Sequence, residues 1–124
     1  MKILKLILAC TVIATSSCQS ATFTSVDVEK FDELLNQNVQ LVDVRTSAEF
    51  TTGHISGATN IDVKTPDFTN QCQKLLNKKQ TVAVYCRSGK RSKTAAKILA
   101  EQGFTVYELN EGIVGWTKAG KPIE

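Results

Sequence analysis

The stretch Thr81 to Gly103, TVAVYCRSGKRSKTAAKILAEQG, decides the fold. Its opening, Thr81 to Tyr85, is a short and almost continuously apolar run, the pattern of a strand covered on both faces of a parallel sheet. Its closing part changes period: from Ser92 to Gln102 the residues Ala95, Ala96, Ile98 and Leu99 recur at helical spacing, and Gly103 supplies the stop. Between the two lies Cys86-Arg87-Ser88-Gly89-Lys90-Arg91-Ser92, a loop with one glycine and three cations. A strand, a tight loop and a helix in that order form a βα unit. In open sheets built from such units, ligands bind just beyond the carboxyl ends of the strands. Function is therefore expected at this loop.

Outward from it the alternation continues. Gln40 to Val44 (QLVDV), Ala58 to Val63 (ATNIDV) and Phe104 to Leu109 (FTVYEL) read as further short strands. Ser25 is the expected N-cap of a helix to about Asn36 with Val28, Phe31, Leu34 and Leu35 as its apolar stripe, and Thr65 to Asn77 carries Phe68, Cys72, Leu75 and Leu76 at helical spacing. The expected fold is α/β: a single domain with a mostly parallel central sheet of about five short strands and helices on both faces. A chain of 124 residues suits one such domain, and 42% apolar with 22% charged residues excludes disordered, fibrous and polytopic membrane classes.

The N-terminus reads differently. Met1 to Lys5 carries two lysines, Leu6 to Ala14 is uncharged and apolar, and small polar residues lead to Cys18, the three-part pattern of an export signal. The run is well short of the roughly 20 apolar residues that span a bilayer. Ser16-Ser17-Cys18 resembles a bacterial lipoprotein box, with Thr15 where such boxes usually carry Leu, and makes Cys18 the expected lipid anchor. A plain secretory cut near Ser20 or Ala21 is the alternative, and a cut before Cys10 would leave too short an apolar core. The expected organisation is a signal peptide over 1–17, a spacer over 18–23 and the folded domain over 24–124, exported to the periplasm or cell envelope and touching a membrane only through the lipid. Without Lys2 and Lys5, 13 basic residues face 12 acidic ones, a balance that gives no ground for a nucleic-acid partner.

A loop joining a strand end to a helix N-terminus aims backbone N–H groups into one concavity, and the helix dipole adds positive potential. A cysteine at the mouth of such a nest has its thiolate stabilised by those donors and by Arg87, Lys90 and Arg91, which lowers its pKa from about 8.5 and makes it a nucleophile. Gly89 allows the tight turn, and Ser92 is placed to cap the helix or donate into the loop.

These residues resemble the rhodanese-like domains. The run Cys86 to Ser92 is similar to the active loop of single-domain members, and three further segments agree in order and interval: Val42-Asp43-Val44-Arg45 with Glu49 and Phe50, Gly53-His54-Ile55-Ser56-Gly57-Ala58 with Asn60-Ile61, and Gly112 with Trp116. The match spans about Thr24 to Ile123. Members usually show a Gly-Gly pair where this chain has Glu111-Gly112, which bears on how open and positive the entrance is. The resemblance implies sulfane-sulfur transfer: Cys86 takes sulfur from a small anionic donor such as thiosulfate as a persulfide and passes it to a thiophilic acceptor, cyanide, a small thiol or a protein thiol. Arg87, Ser88, Gly89, Lys90, Arg91 and Ser92 would form the anion-binding loop. No cofactor is implied. Phosphatases of related fold have one more residue between the cysteine and the arginine, so the shorter ring here suits a smaller group and disfavours that chemistry.

Asp43, Arg45 and Glu49 are expected to support the loops by ion pairing, Asp43 and Arg45 with Glu49 or Arg91, rather than to react. His54 reads as a hydrogen-bonded corner and Trp116 as a core plug. One histidine and two domain cysteines 14 positions apart make no zinc set, so no metal is expected. Cys72 reads as a buried core residue, which excludes a Cys72–Cys86 redox switch. A non-catalytic persulfide carrier or docking module is the main alternative to an enzyme.

Overall fold

The computed structural model describes residues 21–124. The expected signal peptide, Cys18 and the first half of the spacer lie outside them. Five strands form one sheet: β1 Thr24–Val26, β2 Gln40–Asp43, β3 Thr59–Asn60, β4 Val82–Tyr85 and β5 Val106–Leu109, in the order β1-β5-β4-β2-β3. Every pairing is parallel. Parallel neighbours need crossovers, and the helices α1 Val28–Leu35, α2 Ser47–Thr52, α3 Phe68–Leu75 and α4 Lys90–Glu101 supply them, while α5 Gly112–Lys118 follows β5.

All four residues of β4 are buried, as the apolar run required of a central strand. Alternation sends Val82, Val84 and the following Cys86 to one face, where Val42, Val44, Val106, Phe68, Cys72, Ala95, Ala96 and Leu99 join them under α3 and α4. Ala83 and Tyr85 point to the other face, among Phe31, Leu41, Leu109, Ile113 and Trp116 under α1 and α5. Phe31 meets the rings of Tyr85 and Trp116 edge-on, at 6.4 Å and 6.3 Å between centroids. No helix among the described residues is long and apolar enough to cross a membrane.

Two local expectations need correction. Ser25 does not cap α1: it lies in β1, and Asp27 is the N-cap, accepting the Lys30 N–H at 2.9 Å. The short edge strand pairs with β5, and that pairing takes precedence over a capping role for Ser25. The helical pattern over Thr65 to Asn77 contracts to α3, because Pro66 and Asp67 form a turn ahead of it and the chain is already extended at Leu76. α2 was not anticipated; it buries none of its residues and is held by a capping box between Thr46 and Glu49.

Candidate active site

β4 delivers Cys86 to the carboxyl end of the sheet, and α4 begins at Lys90 with Gly89 as its N-cap. Gly89 has φ +104°, and a Cβ there would lie 2.1 Å from the Asn110 carbonyl oxygen, so the turn needs glycine on both conformational and steric grounds. Gly112, at the start of α5, presses on the loop from the other side: a Cβ there would lie 2.3 Å from the Arg87 carbonyl oxygen. Behind it the N–H groups of Ile113 and Val114 donate to the carbonyls of Cys86 and Arg87 at 2.9 Å and 3.1 Å. With those carbonyls engaged by α5, the loop's amides are left to face the sulfur. The Gly89 N–H donates to Cys86 Sγ at 3.1 Å, and Ser92 Oγ stands 3.4 Å from it.

Cys86 is 1% exposed, so the thiol lies below the rim rather than at the mouth, where it was expected; alternation off β4 aims it inward at α4 and the loop closes over it. Burial alone pushes a thiol up, but the Ser92 hydroxyl and the backbone N–H groups of Ser92, Gly89 and Ser88 outweigh it and hold Cys86 below the ordinary thiol range. Cys72, equally buried in the same core but without such donors, is pushed up to about 12. Two cysteines in one core thus differ by their donors.

The cations around the loop divide into free and engaged. Arg87 and Lys90 are exposed, as is the neutral Ser88 between them. Arg91 grips Glu49 with two hydrogen bonds, at 2.6 Å and 2.9 Å, and that grip holds the Glu49 carboxyl down to about 2. Asp43 and Arg45 pair with each other instead of with Glu49 or Arg91: Arg45 reaches both carboxylate oxygens of buried Asp43, at 2.7 Å to 3.1 Å, and donates to the Gly53 carbonyl at 2.6 Å. Asn60 Nδ2 closes the arrangement on the carbonyls of Asp43 and Arg45. The two pairs fasten the loops beside Cys86. His54 stacks on Phe50 at 3.8 Å and bonds its carbonyl through Nδ1, and Trp116 is 3% exposed.

Two open concavities flank the loop and share Arg87. One, of about 520 Å³, is lined by Val63, Lys64, Ser88, Lys90, Arg91 and Thr94. The other, of about 570 Å³, is lined by Ile113, Val114 and Ile123 beside Arg45 and Lys118. Glu111 lines neither. Gly115 leaves room for its carboxylate, which faces a separate concavity with Asp27, Glu29 and Lys118. Two contributors escaped the sequence reading: the α5 amides of Ile113 and Val114, and Glu108 on β5, which is fully buried and accepts the Ser92 hydroxyl. The inward face of FTVYEL, shared by Val106 and Glu108, was the available signal for the second.

Known proteins resemble the domain as a whole. The family model described as the Rhodanese-like domain matches residues 27–119. A senescence-associated protein of Raphanus sativus is 36% identical over 82% of this chain, which spans 61% of that protein. Thiosulfate sulfurtransferase 16, chloroplastic, of Arabidopsis thaliana is 34% identical over 86% of this chain and 97% of its own length. The crystal structure of a rhodanese-related protein from Thermoplasma volcanium superposes with a TM-score of 0.73 at 25% identity, covering 82% of this chain and 98% of that one. A five-stranded parallel sheet with a cysteine set in a ring of amides between β4 and α4, and relatives alike over nearly the whole domain, place the chain in the rhodanese-like family.

Proposed function

We propose that this protein is a sulfurtransferase in which Cys86 carries a sulfane sulfur from thiosulfate, or a related small anion, to a thiophilic acceptor. The observation that carries the reading is a cysteine 1% exposed at the end of a strand whose Sγ accepts the Gly89 N–H at 3.1 Å from the loop that opens α4, a buried sulfur met by a donor rather than by apolar packing alone. The Cys86 thiolate attacks the outer sulfur of thiosulfate, a sulfur–sulfur bond forms as the one in thiosulfate breaks, and sulfite leaves with the electron pair. The loop amides then hold the persulfide anion. An acceptor such as cyanide, a small thiol or a protein thiol takes the outer sulfur and restores the thiolate.

Exposed Arg87 and Lys90 would draw the donor into the concavity on their side, while Ser88, Gly89 and Ser92 shape the ring. Arg91, Glu49, Asp43 and Arg45 would act by holding that ring in place. The deep setting of Cys86 also favours a second reading, a carrier that loads once and discharges only to a docked partner. For location, the N-terminal pattern supports export to the periplasm or cell envelope with Cys18 as lipid anchor.

The test is the mass of the full chain, purified in mild detergent, after thiosulfate and then after cyanide. Wild type should gain about 32 Da at Cys86 and lose it to cyanide, and Cys86→Ser should gain nothing. Repeated turnover supports the enzyme, whereas a single stoichiometric loading supports the carrier. A folded wild-type chain that gains no sulfur removes thiosulfate as the donor.

A further inference from the structure

We propose that Glu108 is a positioning residue that sets how readily Cys86 ionises, by claiming the single hydroxyl proton of Ser92. The inference rests on the reading of Cys86 as nucleophile. Glu108 is fully buried on the α4 side of β5. Its Oε2 accepts the Ser92 hydroxyl at 2.6 Å; its Oε1 accepts the Lys93 ammonium at 3.0 Å and the Ser25 hydroxyl. Ser92 Oγ also lies 3.1 Å from the Gly89 carbonyl and 3.4 Å from Cys86 Sγ. Three acceptors thus compete for one proton.

A carboxylate oxygen at 2.6 Å is the strongest of the three. While the proton stays there, Ser92 turns lone pairs toward Sγ, which suit a thiol S–H, and the hydroxyl can stabilise the thiolate as a donor only by giving up Glu108. When Cys86 ionises, its proton leaves to solvent and the Ser92 hydroxyl swings from Oε2 to Sγ, while Glu108 keeps Lys93 and Ser25. No other bond changes. The charged and titratable groups facing this pair are Lys93 and Arg91 from α4, the latter held by Glu49 of α2, and Cys72 from α3; β1 contributes only the neutral Ser25, beside Asn110. The loop amides favour the thiolate and Glu108 restrains it, which slows reaction of the unloaded cysteine with oxidants and stray electrophiles.

Glu108→Gln in the full chain tests this. Because Oε1 faces two donors, the carboxamide oxygen must stay there and its NH₂ must face Ser92, which frees the hydroxyl for Sγ. The pH midpoint of Cys86 alkylation by iodoacetamide, read from the mass of its peptide, should fall by about one unit. Below both midpoints, about tenfold more thiolate of lower intrinsic nucleophilicity gives roughly threefold faster alkylation. In a Ser92→Ala background the shift should vanish. An unmoved or raised midpoint in folded Glu108→Gln, or the same shift without Ser92, overturns the proposal. A measurement on wild type covers a variant that does not fold: the ¹³C carboxyl resonance of Glu108 should move with the Cys86 midpoint and stay flat in Cys86→Ser, and a flat resonance in wild type refutes the coupling. Alkylation reads ionisation and not sulfur transfer, so failure of the sulfurtransferase reading would appear separately, as absence of a persulfide.

Discussion

Replacing Gly112 with alanine should loosen the site from a position that never touches the sulfur. Gly112 has φ +62°, a region that costs an L-residue about 1–2 kcal/mol. The added methyl would stand 2.3 Å from the Arg87 carbonyl oxygen, 2.4 Å from its carbon and 2.6 Å from the Ser88 nitrogen. All three are backbone atoms, so no rotamer change relieves the contact, and overpacking adds about 1–3 kcal/mol. The expected loss is about 2–5 kcal/mol. Gly57→Ala is the control: φ there is +84°, but nothing lies within 4 Å of a new methyl, so only the conformational part should appear. Urea unfolding at constant m-value gives both losses. Because Ser88 and Gly89 would shift with Arg87, the alkylation midpoint of Cys86 should rise in Gly112→Ala and stay put in Gly57→Ala. Equal losses in the two variants, or a destabilised Gly112→Ala with an unmoved midpoint, would refute the argument that α5 holds the loop in register.

Other expectations follow from the ion pairs, the charge and the N-terminus. Glu49 is held at about 2 in the fold against an ordinary 4.5, so its pair with Arg91 stabilises the protein above pH 4.5 and that contribution is lost as pH falls toward 2. Both side chains are partly exposed, so Glu49→Gln should cost only about 1–2 kcal/mol at pH 7 and nothing near pH 2, as read from urea midpoints across that range. Lys90→Ala should raise the KM for thiosulfate several-fold at low salt, with the difference fading at high ionic strength as screening removes the attraction; an unchanged salt response would show that Lys90 does not steer the donor. Cys18→Ser should move the protein from the membrane fraction to the soluble one on fractionation, and retention in the membrane would place the anchor elsewhere.

The loop was legible because it is contiguous: a strand end, a glycine, three cations and a helix start stand side by side from Cys86 to Ser92. What the sequence hid depends on distant parts of the chain meeting. β1 has three residues, too few for a periodic signal, and exists because β5 offers it an edge. The Thr46–Glu49 capping box was there to be read as Thr-Ser-Ala-Glu, but a helix that buries nothing leaves no apolar stripe. The partners of Asp43 and Arg45 were misjudged because Arg45 folds back on the residue two before it, a local contact that ion-pair reasoning across loops overlooks. Glu108 resembles an ordinary polar residue in a half-exposed strand; only the packing of α4 across β5 turns it into a buried partner of Ser92.

An all-parallel sheet has two unlike poles, and the chain enters at one while the chemistry stands at the other. Thr24 opens β1 at the pole where every strand begins, and Cys86 follows β4 at the pole where every strand ends. About 13 Å of strand, four residues at roughly 3.3 Å each, separate the two. The described domain therefore starts on the side of the sheet away from Cys86, and the pole that carries the loop is reached without crossing the strand by which the chain enters the sheet. Glu124 exchanges both of its backbone hydrogen bonds with His54, one residue past the Gly53 carbonyl that Arg45 holds, so the segment around Glu124 braces the same loop as that buried ion pair.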